Sequence, residues 1–293
     1  MKDFGDYMRE IFPDVKVQKL SINAGFTCPN RDGSIGSGGC IYCDNSSFTP
    51  SYCSPTDSVV RQLEKGKAFF SRKYPSMKYL AYFQSYTNTF GRSAASLLSI
   101  YRAAASVPDV VGVIIGTRPD CLPDELVEGL VSLNSDMPVI VELGAETSFD
   151  NTLKLINRNH TWRQVEDAVD RLHAGGLRVG LHLIAGLPGE TSEDVLTTVG
   201  RACSLPIGSI KMHQLQVIRN TILHKKMLSG EIEVRPYALE EYLDLCAGIV
   251  RIVPPHICIE RFLSSSPPDM VVAPRWGLKN YQFVHLLKNR LSL

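Results

Sequence analysis

At 293 residues the chain is long enough to bury a sizeable core in one large domain or two modest ones. A hydrophobic content of 44% with 21% charged residues is that of an ordinary globular protein, and a formal net charge of +1 gives no global pull toward nucleic acid or anionic membrane. The charged N-terminus MKDFGDYMREIF lacks the apolar core of a secretory signal, and runs such as VVGVIIG fall far short of the roughly 20 residues a bilayer span needs. A cytoplasmic protein with no membrane partner is expected.

In chain order, VQKLSI (17–22) reads as a first strand and VVRQLEKGKAFFSRKY (59–74) as the helix after it. Strand KYLAYFQ (78–84) precedes helix AASLLSIYRAAAS (94–106), and VVGVIIG (110–116) precedes a helix started by Pro123. PVIVELG (138–144) leads to SFDNTLKLINR and then to TWRQVEDAVDRLHAGG, which Gly175-Gly176 ends. VGLHLIAGLP (179–188) leads to a helix opened by a capping box from Thr191 to Asp194, and IKMHQLQV (210–217) to LEEYLDLCAGIVRIV (239–253). Nearly continuous apolar strands indicate burial on both faces, hence a parallel sheet covered by helices. Six βα units in residues 1–253 fit an open partial barrel or a doubly wound sheet. Residues 254–293 read as a small extension: HICIERF, a loop at SSSPPD (264–269) and a basic helix, LKNYQFVHLLKNRL.

Three of the eight cysteines, Cys28, Cys40 and Cys43, share a glycine-rich loop after the first strand. In parallel α/β folds ligands gather at that end of the strands. In a reducing compartment such clusters are metal or redox groups rather than disulfides. A structural zinc site, completed by Cys53, would need four ligands, as would a ferredoxin-like cluster. A cubane cluster held by three cysteines would leave one iron open, and unrelated thiols are the bland reading. Cys53, Cys121, Cys203, Cys246 and Cys258 are simplest as small buried hydrophobes. His182 and His213, in apolar strands, are either satisfied core groups or functional ones, and Glu142 is expected to pair with Arg118. Two stretches without acids are solvated faces or phosphate contacts: Lys211, Arg219, Lys225 and Lys226, and then Arg275, Lys279, Lys288 and Arg290.

The cysteine loop resembles the CxxxCxxC loop of radical S-adenosylmethionine (SAM) enzymes, with Tyr42 as the aromatic before the last cysteine and a widened first gap. Such wide gaps occur in the subgroup related to the catalytic subunit of Elongator. TRPDCL (117–122), ELGAET (142–147), INRNHT (156–161) and HLIAGLPGET (182–191) resemble further segments of that subgroup in the same order. YFQSYTNTF (82–90) stands where a GGE-type motif is usual, in the form seen in small stand-alone Elongator-like bacterial proteins.

The resemblance implies a partial (β/α)6 TIM-like barrel of the radical SAM type, with Cys28, Cys40 and Cys43 holding a 4Fe–4S cluster whose fourth iron is chelated by SAM. One electron, from a reductase, flavodoxin or ferredoxin, would cleave SAM to a 5′-deoxyadenosyl radical that takes a substrate hydrogen. The same resemblance puts Tyr42, Gln84 and Thr117 near SAM, with Thr87 as a further candidate. Glu146 and His182 fall at its ribose, Arg158 at its carboxylate, and Gly186 and Gly189 at its adenine. It implies tRNA as partner, with removal of carboxymethyl from a wobble 5-carboxymethylaminomethyluridine. The basic stretches would then hold phosphates, with Trp276, Tyr281 or Phe283 stacking on a base. With the chain ending at Leu293, no acetyltransferase domain is expected. The alternatives are a radical SAM enzyme acting on a small metabolite or tetrapyrrole, and a zinc- or cluster-stabilised binding module.

Overall fold

The computed structural model describes residues 1–71 and 76–291. Six expected strands form as β1 (Val17–Ile22), β2 (Lys78–Phe83), β3 (Val110–Thr117), β4 (Val139–Glu146), β5 (Arg178–Ala185) and β6 (Ser209–Gln214). A seventh, β7 (Cys258–Arg261), pairs in parallel with β6, so the sheet runs β1 to β7 in chain order and curls into a partial barrel. The residues of β7 are those of HICIERF, beyond the six units counted in the sequence.

The helices on the outer face are α2 (Val59–Ser71), α3 (Ala94–Ala105) and α4 (Asp124–Asp136), then, after a short α5 (Asp150–Leu155) whose Leu153 belongs to a separate apolar cluster with Ile41 and Ile184, α6 (Trp162–Ala174) and α7 (Ser192–Cys203). After β6 come α8 (Ile222–Leu228) and α9 (Leu239–Ile252), and the chain closes with α10 (Asn280–Leu291). The last residues expected in the helix after β1, 72–74, lie outside the described residues. Both capping boxes that open α6 and α7 form, at Thr161–Gln164 and Thr191–Asp194. Pro123 is the residue before α4 rather than its first. None of the described helices is long and apolar enough to cross a membrane.

Alternation along each strand divides the core in two. Outward residues such as Leu20, Phe83, Val113, Val141 and Leu181 pack under Leu63, Tyr101, Leu130, Val165 and Val195 of the helices. Inward residues Leu80, Ile114 and Ile140 meet Tyr7, Met8 and Phe12, from an N-terminal helix, α1 (Phe4–Ile11), and the residue that follows it. That amphipathic segment plugs the interior at the N-terminal ends of the strands. At Gly112 a Cβ would stand 2.9 Å from Leu80 and 3.2 Å from the Phe12 ring, so glycine makes room for the plug. The other mouth of the barrel is left open for a site.

The C-terminal segment is not a loose appendage. Phe283 and Leu287 of α10 are fully buried, and Phe283 packs among Tyr242, Phe262 and Trp276. The expected base-stacking role of Phe283 is therefore excluded by burial, and half-buried Trp276 is stacked on Tyr242. Tyr281 stays exposed.

Candidate active site

At the C-terminal ends of the strands lies a cavity of about 260 Å³. Cys28, Cys40 and Cys43 all line it, which brings together three thiols spread over sixteen residues. Their loop is held by the INRNHT segment. Asn157 and Asn159 adopt left-handed backbone, at φ of 56° and 57°, a conformation asparagine tolerates. Asn157 Nδ2 donates to the carbonyls of Ser37 (3.1 Å) and Gly39 (2.8 Å), Asn159 Nδ2 donates to Asn30 Oδ1 (2.7 Å), and Asn30 donates to the Asn157 carbonyl. This asparagine clamp was not legible from motif resemblance, which singled out only the arginine between them.

Three N–H groups reach the sulfurs. Asn30 Nδ2 and Arg158 Nη1 lie 3.7 and 3.8 Å from Cys40 Sγ, and Asn45 Nδ2 lies 3.5 Å from Cys43 Sγ. Burial, with Cys40 close by, pushes the Cys43 thiol up to about 12, so the bare site holds a proton that a metal must displace. Among the described residues no three His, Cys, Asp or Glu side chains converge as the ligands of a single ion would. Cys53 is absent from the cavity wall, and its thiol donates to the Ser21 carbonyl at 2.9 Å.

Of the residues expected at SAM, Tyr42, Gln84, Thr87, Thr117, Glu146, Arg158 and His182 line the cavity. Gln84 Oε1 accepts from Ser21 Oγ (2.9 Å), and Thr117 Oγ1 lies 2.5 Å from Thr89 Oγ1. Arg158 Nη2 donates to the Gly144 carbonyl (2.6 Å) and stands 3.5 Å from Glu146. Gly186 and Gly189 keep their left-handed backbone, yet neither lines the cavity, and a Cβ on Gly186 would face the Tyr237 ring. Arg118 does not pair with Glu142 as expected. It forks onto Asp120, two residues on, at 2.8 and 2.7 Å. Two buried donors, Arg118 Nη1 and Arg158 Nε, have no partner among the described residues.

Deeper in the barrel lies an ionic layer. Glu142 Oε1 accepts from Lys19 Nζ (2.7 Å); its Oε2 takes Tyr82 OH (2.8 Å) and Lys211 Nζ (3.2 Å), with His182 Nε2 at 2.7 Å. Glu260 faces the same two lysines, at 2.7 and 3.3 Å. Burial alone would push Glu142 up, but Lys19, Lys211 and His182 hold it well below the usual carboxylate range. Lys211 is thus a buried counter-ion, which overturns its place among the expected phosphate contacts. His182 is a bonded member of this layer.

Compared with known proteins, residues 27–202 match the Radical SAM superfamily and residues 207–292 match the Radical_SAM C-terminal domain. The chain belongs to the radical SAM superfamily. It is 32% identical over 286 residues to YtqA of Bacillus subtilis, covering 98% of this chain and 88% of that protein. It is 30% identical over 173 residues to the tRNA uridine(34) acetyltransferase of Dehalococcoides mccartyi, 58% of this chain and 36% of the other. The fold aligns with archaeal Elp3 of Methanocaldococcus infernus at a TM-score of 0.69 and 18% identity, over 95% of this chain and 63% of that one.

Radical SAM enzymes use a 4Fe–4S cluster and SAM, and the residues here fit both. Thiols met by N–H donors suit thiolate ligands, whose charge those donors stabilise. The unpartnered arginine N–H groups on the same wall suit a carboxylate.

Proposed function

We propose that this radical SAM enzyme acts on the wobble uridine of tRNA, removing the carboxymethyl part of a 5-carboxymethylaminomethyl side group. The observation that supports this reading is the likeness over 173 residues to an enzyme named for uridine 34 of tRNA. In it Cys28, Cys40 and Cys43 hold the cluster, and Arg158 with Arg118 receives the SAM carboxylate. Glu146 takes the ribose hydroxyls, while Tyr42, Gln84, Thr117 and His182 complete the wall. Gly186 and Gly189 set the turn after β5, at the end of the barrel where this reading puts the adenine. When bound, the cluster and SAM supply hydrogen-atom abstraction, driven by an electron from a reductase, flavodoxin or ferredoxin. The protein's part is to orient the side group and to keep water out.

For tRNA the accessible cations are Arg219, Lys225, Arg275, Lys279 and Lys288, with exposed Tyr281 as a stacking surface. Arg290 is committed to Glu240 and Asp244 of α9. The test is nucleoside profiling of tRNA from cells lacking the gene. Accumulated 5-carboxymethylaminomethyluridine, with the matching loss of the 5-aminomethyl form, is the expected result. An unchanged set of wobble uridines rejects the reading.

A further inference from the structure

The end of β7 departs from regular pairing in a way that concerns the cavity. Ser209 pairs with Cys258 and Ile210 with Ile259, but Lys211 pairs with Arg261, so Glu260 is the extra residue of a bulge. A regular strand sends neighbours to opposite faces; a bulge re-aims one of them. Glu260 reaches Lys19 and Lys211 in the ionic layer, and Arg261 also lines the cavity.

Charge sets Arg261 apart from the other cations that are buried in this wall; Arg31 also lacks an ion pair, but it is exposed and lies over the Tyr86 ring. Lys19 and Lys211 face Glu142 and Glu260, two against two. Arg118 has Asp120, and Arg158 has Glu146. Arg261, half-buried, forms no hydrogen bond or ion pair among the described residues, and a guanidinium cannot shed its proton. His213, beside it on the wall, adds no negative charge. Just beyond Arg261 the three serines of the loop SSSPPD line the cavity. Ser264 is bonded to Gln214 through N–H and hydroxyl, while the hydroxyls and backbone N–H groups of Ser265 and Ser266 donate to nothing among the described residues and line the same cavity.

We infer that Arg261, with the free donors of Ser265 and Ser266, forms an anion subsite that receives the carboxylate of the substrate side group. The subsite sits on the last strand of the sheet, whereas the cysteine loop follows the first. An anion here meets a planar fork and balances the unmatched charge. The assignment to a side-group carboxylate rests on the tRNA reading above; the anion subsite itself does not.

Two measurements on the cluster-loaded full chain separate them. In the first, phenylglyoxal modification of Arg261 is followed by peptide mass spectrometry, with N-methylglycine, inorganic phosphate or chloride added at equal ionic strength. N-methylglycine at twice its dissociation constant is expected to slow modification about threefold, with chloride inert. No protection overturns the subsite, and stronger protection by phosphate overturns its assignment to a carboxylate. In the second, anticodon stem-loops carrying 5-carboxymethylaminomethyl or 5-aminomethyl uridine are bound to wild type and to Arg261→Gln. Wild type is expected to prefer the first by about tenfold, and the variant to lose that preference while binding the second unchanged. A preference that survives in the variant overturns the role of Arg261. Protection by N-methylglycine with no stem-loop preference in wild type leaves the subsite standing and rejects the tRNA reading.

Discussion

Lys19 and Glu260 lie on the two edge strands of the seven-stranded sheet, yet their side chains meet at 2.7 Å. Lys19 also holds Glu142 at 2.7 Å, so one ammonium ties β1 to both β4 and β7 across the barrel interior. Removing it leaves two buried carboxylates to share Lys211. Lys19→Met is expected to lose roughly 3–5 kcal/mol of stability by urea unfolding. Lys19→Met/Glu260→Met is expected to lose less than the sum of its single variants, because the second change removes a stranded charge. Additive losses would show that the pair does not couple the two edges.

Burial, together with His182, Arg261 and Lys211, holds the His213 imidazole well below its ordinary range. Between that depressed value and about 6.5, the unfolded chain binds a proton that the folded chain does not. The contribution of His213 is therefore complete above pH 6.5 and is lost as the pH falls below it. The slope from this one group reaches about 1.4 kcal/mol per pH unit. His213→Asn is expected to flatten the stability profile by one such slope between pH 6.5 and 5. An unchanged slope would mean that His213 takes up its proton while folded.

The sheet was legible because its strands are apolar on both faces, and that pattern survives in a single sequence. The interior layer was not, for the same reason in reverse. Lys19 in VQKLSI and Lys211 in IKMHQLQV each look like the solvent side of a strand, since nothing local reports that the inward face closes on itself. Their shared partner, Glu142, is 123 residues from Lys19 and 69 from Lys211. The bulge at Glu260 depends on pairing register and leaves no mark in composition. The burial of Phe283 was not legible because a basic helix carrying Tyr281 and Phe283 cannot be phased without its neighbour α9. The cysteine loop, in contrast, is local, and its three thiols do converge on one cavity.

Gly144 bounds how closely Arg158 can approach the cavity wall. A Cβ there would stand 2.5 Å from Arg158 Nη2 and 2.8 Å from Glu146 Oε1, so both side chains must shift. Loss of one charge-assisted contact corresponds to about tenfold in affinity or more. Gly144→Ala is expected to weaken SAM binding by that factor in equilibrium titration while leaving iron content unchanged. Unaltered SAM affinity would remove Arg158 and Glu146 from the proposed contacts.

Cys53 offers a control for the cluster assignment. Its thiol is spent on the Ser21 carbonyl, and burial pushes it up to about 12. Cys53→Ala is expected to retain full iron and sulfide after anaerobic reconstitution, with a stability loss of about 1 kcal/mol. Cys28→Ser or Cys40→Ser is expected to lose the cluster absorption. Iron loss in the Cys53 variant would make it a ligand and contradict the three-cysteine site.

The burial of Phe283 separates two roles that the C-terminal helix was expected to combine. Lys279 and Lys288 are exposed, whereas Phe283 is locked among Tyr242, Phe262 and Trp276. Reversing both lysine charges, Lys279→Glu with Lys288→Glu, is expected to weaken tRNA binding at low salt and to reduce the slope of log K against log salt by about 1.5–2. Stability should stay within about 0.5 kcal/mol of wild type. Phe283→Leu should do the opposite, costing roughly 1–3 kcal/mol in thermal unfolding and leaving the salt slope of the folded protein intact. Equilibrium binding across a salt series, beside the unfolding curves, distinguishes the two. A salt slope that ignores the lysines would move the phosphate contacts away from the C-terminal helix and onto exposed Arg219 and Lys225.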